Sequence, residues 1–162
     1  LSAHNEKFTH WLPVFIDPKH GEKALYLAKR SMSIICTGHH GGFEPKHVLE
    51  ILPKLMSTML VEVMSGKRHA SLKALRGYCF FHRMFLEFVN QYPALKNTCN
   101  EIVKNFIEDD AKRHKETGVP NLGEFLAILT VTDYTWADIR EAYIQESFTR
   151  NVFWLLKMAL YI

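Results

Sequence analysis

Little in this chain points to chemistry. No glycine stands before Ser65-Gly66-Lys67 at the spacing a phosphate-binding loop needs, and the nine histidines contain no His-Glu-x-x-His pair. Strand signals are almost missing; Ile128-Leu129-Thr130-Val131-Thr132 is the one run that could be extended. The longest apolar stretches fall well short of the ~20 residues that cross a bilayer, and no signal peptide is visible, so no membrane partner is expected. Cysteine is sparse: Cys36, Cys79 and Cys99 form an odd set, each inside an apolar helical pattern. That suits reduced, buried thiols and a cytoplasmic or nuclear setting better than a disulfide scaffold. The net charge of +3 lacks the concentrated basic stripe of a dedicated nucleic-acid binder.

What the sequence does have is helix punctuation. Asp17-Pro18, Glu44-Pro45, Tyr92-Pro93 and Val119-Pro120 each precede an amphipathic run. Proline suits a first helical turn, where its missing N–H would be unpaired anyway and its φ is already helical. Hydrophobic residues make up 48% and charged ones 23%, which argues against disorder; eleven Phe, six Tyr and three Trp imply a core built on large rings. The expected fold is all-α, either an irregular multi-helix bundle or a short armadillo- or HEAT-like stack of about seven to eight helices. At 162 residues it is most simply one helical domain, 1–162. The start at Leu1 and the apolar end Met158-Ala159-Leu160-Tyr161-Ile162 suggest a piece of a longer polypeptide.

The segment 4–16 carries Phe8, Trp11, Leu12 and Phe15 on one side, and the helix after Pro18 is expected to exit at Gly38. Residues 45–64 form a wide apolar face in which Pro53 should kink or split the helix. Ser65–His69 reads as a turn, 70–91 as a long helix centred on the apolar stretch Tyr78–Leu86, and 93–115 as a helix that becomes strongly charged from Glu108. Thr135-Trp136-Ala137-Asp138 has capping-box spacing and opens a helix with Ile139, Ala142 and Tyr143 inward. A last segment from about Ser147 bears Val152, Phe153, Leu155, Leu156 and Leu160.

Three constellations could carry chemistry. Cys36-x-x-His39 and Cys79-x-x-His82 share a spacing seen in zinc sites and together would supply two thiolates and two imidazoles. The second pair, however, lies within a crowded apolar helix, where packing is the simpler account; the same surroundings would raise the Cys79 pKa and disfavour a Cys/His nucleophile. Lys67-Arg68-His69 and Lys112-Arg113-His114-Lys115 could contact phosphate, with Lys112, Arg113 and Lys115 as the RNA-contacting set. Glu108, Asp109 and Asp110 directly precede that second cluster, so a solvated ion-pair face competes with this reading. Exposed turns at His39, His40 and Phe43 and at Lys67, Arg68 and His69 are candidate contacts for a protein partner or a neighbouring domain. No cofactor is called for.

Four stretches, Glu50–Met56, Lys73–Arg83, Pro120–Leu126 and Glu146–Trp154, together resemble a helical region of large eukaryotic proteins associated with ubiquitin-conjugation modules. The resemblance spans about two-thirds of the chain, from Phe43 to Trp154. The conjugating fold itself needs a His-Pro-Asn tripeptide near its active cysteine, and none occurs. The resemblance therefore implies a non-catalytic helical companion that presents a surface or positions a neighbouring domain. The parent chain could then belong to a ubiquitin-pathway enzyme.

Overall fold

In the computed structural model, residues 18–38, 41–65, 68–115 and 118–159 are described. They form seven helices and no strand: α1 (Pro18–Thr37), α2 (Lys46–Met64), α3 (Arg68–Gln91), α4 (Pro93–Glu108), α5 (Asp110–Arg113), α6 (Leu122–Leu129) and α7 (Trp136–Ala159). The fold is all-α. No helix among the described residues is long and apolar enough to cross a membrane. Where the sequence suggests one domain, the chain gathers into two compact units, Leu1–Leu95 and Lys96–Ile162, and the boundary falls in the first turn of α4. The amphipathic segment 4–16 and Leu160 lie outside the described residues.

The first unit is built on α2 and α3, with α1 packed on α2. Gly38 takes a positive φ of 74°, the left-handed exit expected of a helix C-terminus, and its N–H returns to the Ile34 carbonyl at 3.0 Å. Pro45 caps α2, and the His47 Nδ1 accepts the Glu44 N–H at 3.1 Å, satisfying a donor just outside the first turn. Pro53 does not split α2. Its ring is fully buried beside Leu52 and Met56, so packing offsets the one backbone bond that proline removes. Along α3 the buried positions are Ala74, Met84, Phe85 and Phe88, at helical spacing. The expected centre at Tyr78–Leu86 holds two of these, Met84 and Phe85. Tyr78 to His82 are half-buried and Leu86 is exposed, because one stripe of a helix can face a core and the rest of an apolar run cannot.

The second unit closes its own core. Val103, Phe106, Val119, Phe125, Ile139 and Ala142 are buried together, and the Phe106 and Phe125 rings stack at 4.1 Å between centroids. The charged run expected to end a single helix over 93–115 instead begins a new one. Asp109 leaves helical geometry (φ −130°) and its carboxylate accepts the Ala111 N–H at 2.9 Å, capping α5. Asn121, rather than Pro120, starts α6, accepting from Gly123 N at 2.8 Å and Glu124 N at 3.4 Å. Residues 128–132 are not extended: Ile128 and Leu129 end α6, and a turn follows. The Asp133 carboxylate pins that turn to α4 through Lys96 at 2.6 Å and Asn100 at 2.8 Å. At the start of α7, Asp138 accepts from both the N–H and the hydroxyl of Thr135, each at 2.7 Å. The last two expected segments are one continuous helix.

Candidate interaction site

Among the described residues, those singled out in the sequence do not assemble into one site. His39, His40 and Lys67 lie outside the described residues. Arg68 and His69 belong to the first turn of α3 and not to a connecting turn, because the helix begins two residues earlier than its apolar pattern. Phe43 turns inward, stacking on Phe88 at 5.8 Å and meeting Tyr92 at 5.9 Å, so it is a packing residue and no free contact.

Of the zinc set, His39 lies outside the described residues. Among the described residues no group of three or more His, Cys, Asp or Glu side chains is placed to hold a metal, and Cys36, Cys79 and His82 join no such group. The Cys36 thiol is also held away from the ligand form. Burial, reinforced by the Glu50 carboxylate, pushes the Cys36 thiol above its ordinary pKa, whereas a zinc ligand must be a thiolate. The His82 ring stacks on Tyr78 at 6.1 Å, and desolvation holds its pKa below the usual histidine range. Cys99 is fully buried, and desolvation pushes its thiol up to about 12.

The second basic cluster divides sharply. Lys112 reaches back to Asn105 Oδ1 at 2.9 Å. Arg113 is only 8% exposed, which corrects the picture of a solvated ion-pair face. Its guanidinium donates to the carbonyls of Phe106 and Ile107 and to Gln145 Oε1, and it pairs with Asp110 at 2.8 Å. Those carbonyls end α4 and have no partner within that helix, so a planar five-donor group is well matched to them. Turned inward, Arg113 commits four of its five N–H donors to these partners and is not a free contact for phosphate. Lys115 remains exposed.

A second arginine completes the arrangement. Arg150 pairs with Glu146 at 2.7 Å, one helical turn earlier on α7, and donates to the carbonyls of Arg113 (2.8 Å), Val119 (2.6 Å) and Pro120 (3.3 Å). Arg113 thus ties the end of α4, while Arg150 ties to α7 both described ends of the connection between α5 and α6. Gly118 is required within it: a Cβ there would stand 1.6 Å from the Lys112 carbonyl oxygen.

His114, Lys115 and Pro120, at the described ends of that connection, form one wall of an open groove of about 1140 Å³. The start of α6 (Asn121, Leu122) adds to that wall, and α7 supplies the facing side through Arg150, Phe153 and Lys157. Residues 146, 150, 153 and 157 recur at helical spacing, so one face of α7 leads from the Glu146–Arg150 pair to Phe153. Beyond the core, this half of the helix has no cover among the described residues. Phe153 is 68% exposed, and Phe148, Leu155 and Leu156 are 70%, 62% and 62% exposed. The groove is lined by His114, Lys115, Arg150 and Lys157 against the single acid Glu146. Since Glu146 is already paired with Arg150, Lys115 and Lys157 are left as a cationic rim.

No protein family, curated protein or solved structure was found to match this chain. The groove is the feature that reading by motif overlooks. Its sequence signals are the Glu146/Arg150 pair at i,i+4 and the apolar residues that ring the second half of α7, where a one-sided helix would show polar residues.

Proposed function

We propose that this chain is a non-catalytic helical interaction module, and that the groove beside α7 receives an acidic amphipathic helix from a partner protein or a neighbouring domain. The observation that carries the reading is Phe153, a large ring left 68% exposed in a groove whose walls are otherwise tied down by hydrogen bonds. Exposed apolar patches rimmed by polar groups mark interaction sites, and a helix laid in such a groove anchors through apolar residues three and four apart. The chemistry of the occupant follows from the rim. Lys115 and Lys157 have no carboxylate partner among the described residues, so acidic positions flanking the apolar anchors would complement them.

Two of the four stretches that resemble the helical region of ubiquitin-pathway proteins, Pro120–Leu126 and Glu146–Trp154, supply groove residues. That resemblance supports a place for the parent chain in ubiquitin conjugation, and it rests on the sequence alone.

The test is selection from a display library of random helical peptides against the whole chain. Selected peptides should be enriched in acidic residues around an apolar i,i+3,i+4 pattern, and should lose binding to Phe153→Asp and to Lys115→Glu/Lys157→Glu. Selected peptides without that enrichment, or equal binding to Phe153→Asp, would overturn the reading.

A further inference from the structure

The first unit contains a second site that is independent of the groove. Phe43 from the connection between α1 and α2, Phe88 from α3 and Tyr92 just beyond α3 surround one cation, the ammonium of Lys29 on α1. The Nζ lies 5.8 Å from the Phe43 centroid, 5.9 Å from that of Phe88 and 5.2 Å from that of Tyr92. The rings support one another, Phe43 standing 5.8 Å from Phe88 and 5.9 Å from Tyr92. Phe88 is fully buried, and His47 meets Phe43 edge-on at 6.0 Å, so the walls do not depend on the cation for their position. Each ring presents a negative π-face to a positive charge within the distance at which such attraction counts.

The site suits a different cation better than it suits its occupant. A primary ammonium carries three N–H donors, and among the described residues Lys29 has one protein acceptor, Gln91 Oε1 at 3.1 Å. No carboxylate pairs with it among the described residues, although Gln91 is itself steadied by Glu87 at 3.3 Å. The contact with Gln91 is exposed, so water serves the other N–H bonds, and the three aromatic faces offer them no acceptor. They are a good match for a cation with methyl groups in place of N–H bonds, which needs no hydrogen bonds and gains from apolar contact.

We propose that Phe43, Phe88 and Tyr92 form an aromatic cage for a quaternary ammonium group, held closed in this conformation by Lys29 acting as an internal plug. Entry of a ligand requires the flexible lysine stem to swing out. The resident side chain therefore competes with every external cation at high effective concentration. Two sources share the ligand chemistry, a trimethylated lysine side chain and a small choline-like molecule.

The wild-type chain provides the first measurement. In a proton–carbon NMR spectrum the ε-methylene protons of Lys29 should be displaced upfield from the other lysines by three ring currents; an undisplaced Lys29 overturns the proposal whatever any variant does. Lys29→Ala and Lys29→Gln are then titrated with tetramethylammonium chloride, following the ring signals of Phe43, Phe88 and Tyr92. Saturable shifts are expected, with affinity roughly tenfold above that of wild type, the equivalent of about 1.4 kcal/mol. Neutral 3,3-dimethylbutan-1-ol should produce none. Equal affinity in wild type, no saturable shift in a folded variant, or an equal response to the neutral alcohol would each overturn it. Titration with trimethyllysine and with choline in parallel shows which source binds more tightly. Neither arm involves Phe153, so failure here leaves the groove untouched, and the reverse.

Discussion

The guanidinium of Arg150 donates to the backbone carbonyl of Arg113 at 2.8 Å, while the guanidinium of Arg113 donates to the carbonyls that end α4. One arginine thus seals a helix end and the other holds the first by its backbone. Arg150→Ala would release three carbonyls and strand the Glu146 side chain, which is only 9% exposed, without its partner. We expect a loss of about 3 kcal/mol in urea unfolding, because an orphaned buried charge costs more than the pair contributes. The double change Glu146→Gln/Arg150→Met should recover part of it. A single-variant loss within the range of ordinary surface substitutions would contradict this account.

Phe106 and Phe125 are both fully buried and stack at 4.1 Å, so they act as one unit of the second core. Phe106→Ala should cost about 3–5 kcal/mol by chemical denaturation, and Phe106→Leu markedly less. The pair Phe106→Ala/Phe125→Ala should lose less than the sum of the single changes, since each removes the other's contact.

Thiol chemistry offers a probe that needs no mutation. With its pKa pushed up to about 12, Cys99 has almost no thiolate at neutral pH, and burial blocks reagent access as well. Alkylation of the native chain at pH 8, followed by peptide mapping, should leave Cys99 unmodified until denaturant is added. Cys36 and Cys79, both half-buried, should react first. Native-state labelling of Cys99 ahead of them would show that α4 does not pack as described.

Asp138 supplies an acid-dependent contribution. Hydrogen bonds from the hydroxyl and N–H of Thr135 hold its carboxyl below the ordinary aspartate range. The folded value is depressed, so the stabilisation is complete above the unfolded aspartate pKa, about 3.9, and fades as pH falls through the lower folded value. Urea midpoints measured from pH 5 downward should therefore decline less steeply in Asp138→Asn than in wild type. Identical acid limbs would remove the cap from the account.

Much of the fold was legible because helix punctuation is local. Pro18 and Pro93 stand where they begin α1 and α4, Pro45 caps α2, Gly38 ends α1 with positive φ, and Thr135 and Asp138 meet as their spacing suggests. What failed was anything set by residues distant in sequence. Whether Arg113 faced water or the core depended on carbonyls at Phe106 and Ile107 and an amide at Gln145. Phe43 looked like an exposed contact because the rings that receive it, Phe88 and Tyr92, lie over forty positions away. The apolar residues in the second half of α7 did not show which side is covered: Phe153, Leu155 and Leu156 are exposed.

The inward turn of Arg113 has a consequence for how the groove responds to its surroundings. A guanidinium stays charged across the whole physiological pH range, and one so enclosed is little screened by salt. The shape of the groove wall should therefore be indifferent to acidification and ionic strength, while the Lys115 and Lys157 rim remains exposed to screening. Salt would then weaken capture of an acidic partner without altering the receptor, separating the affinity of the contact from the form of the surface that makes it.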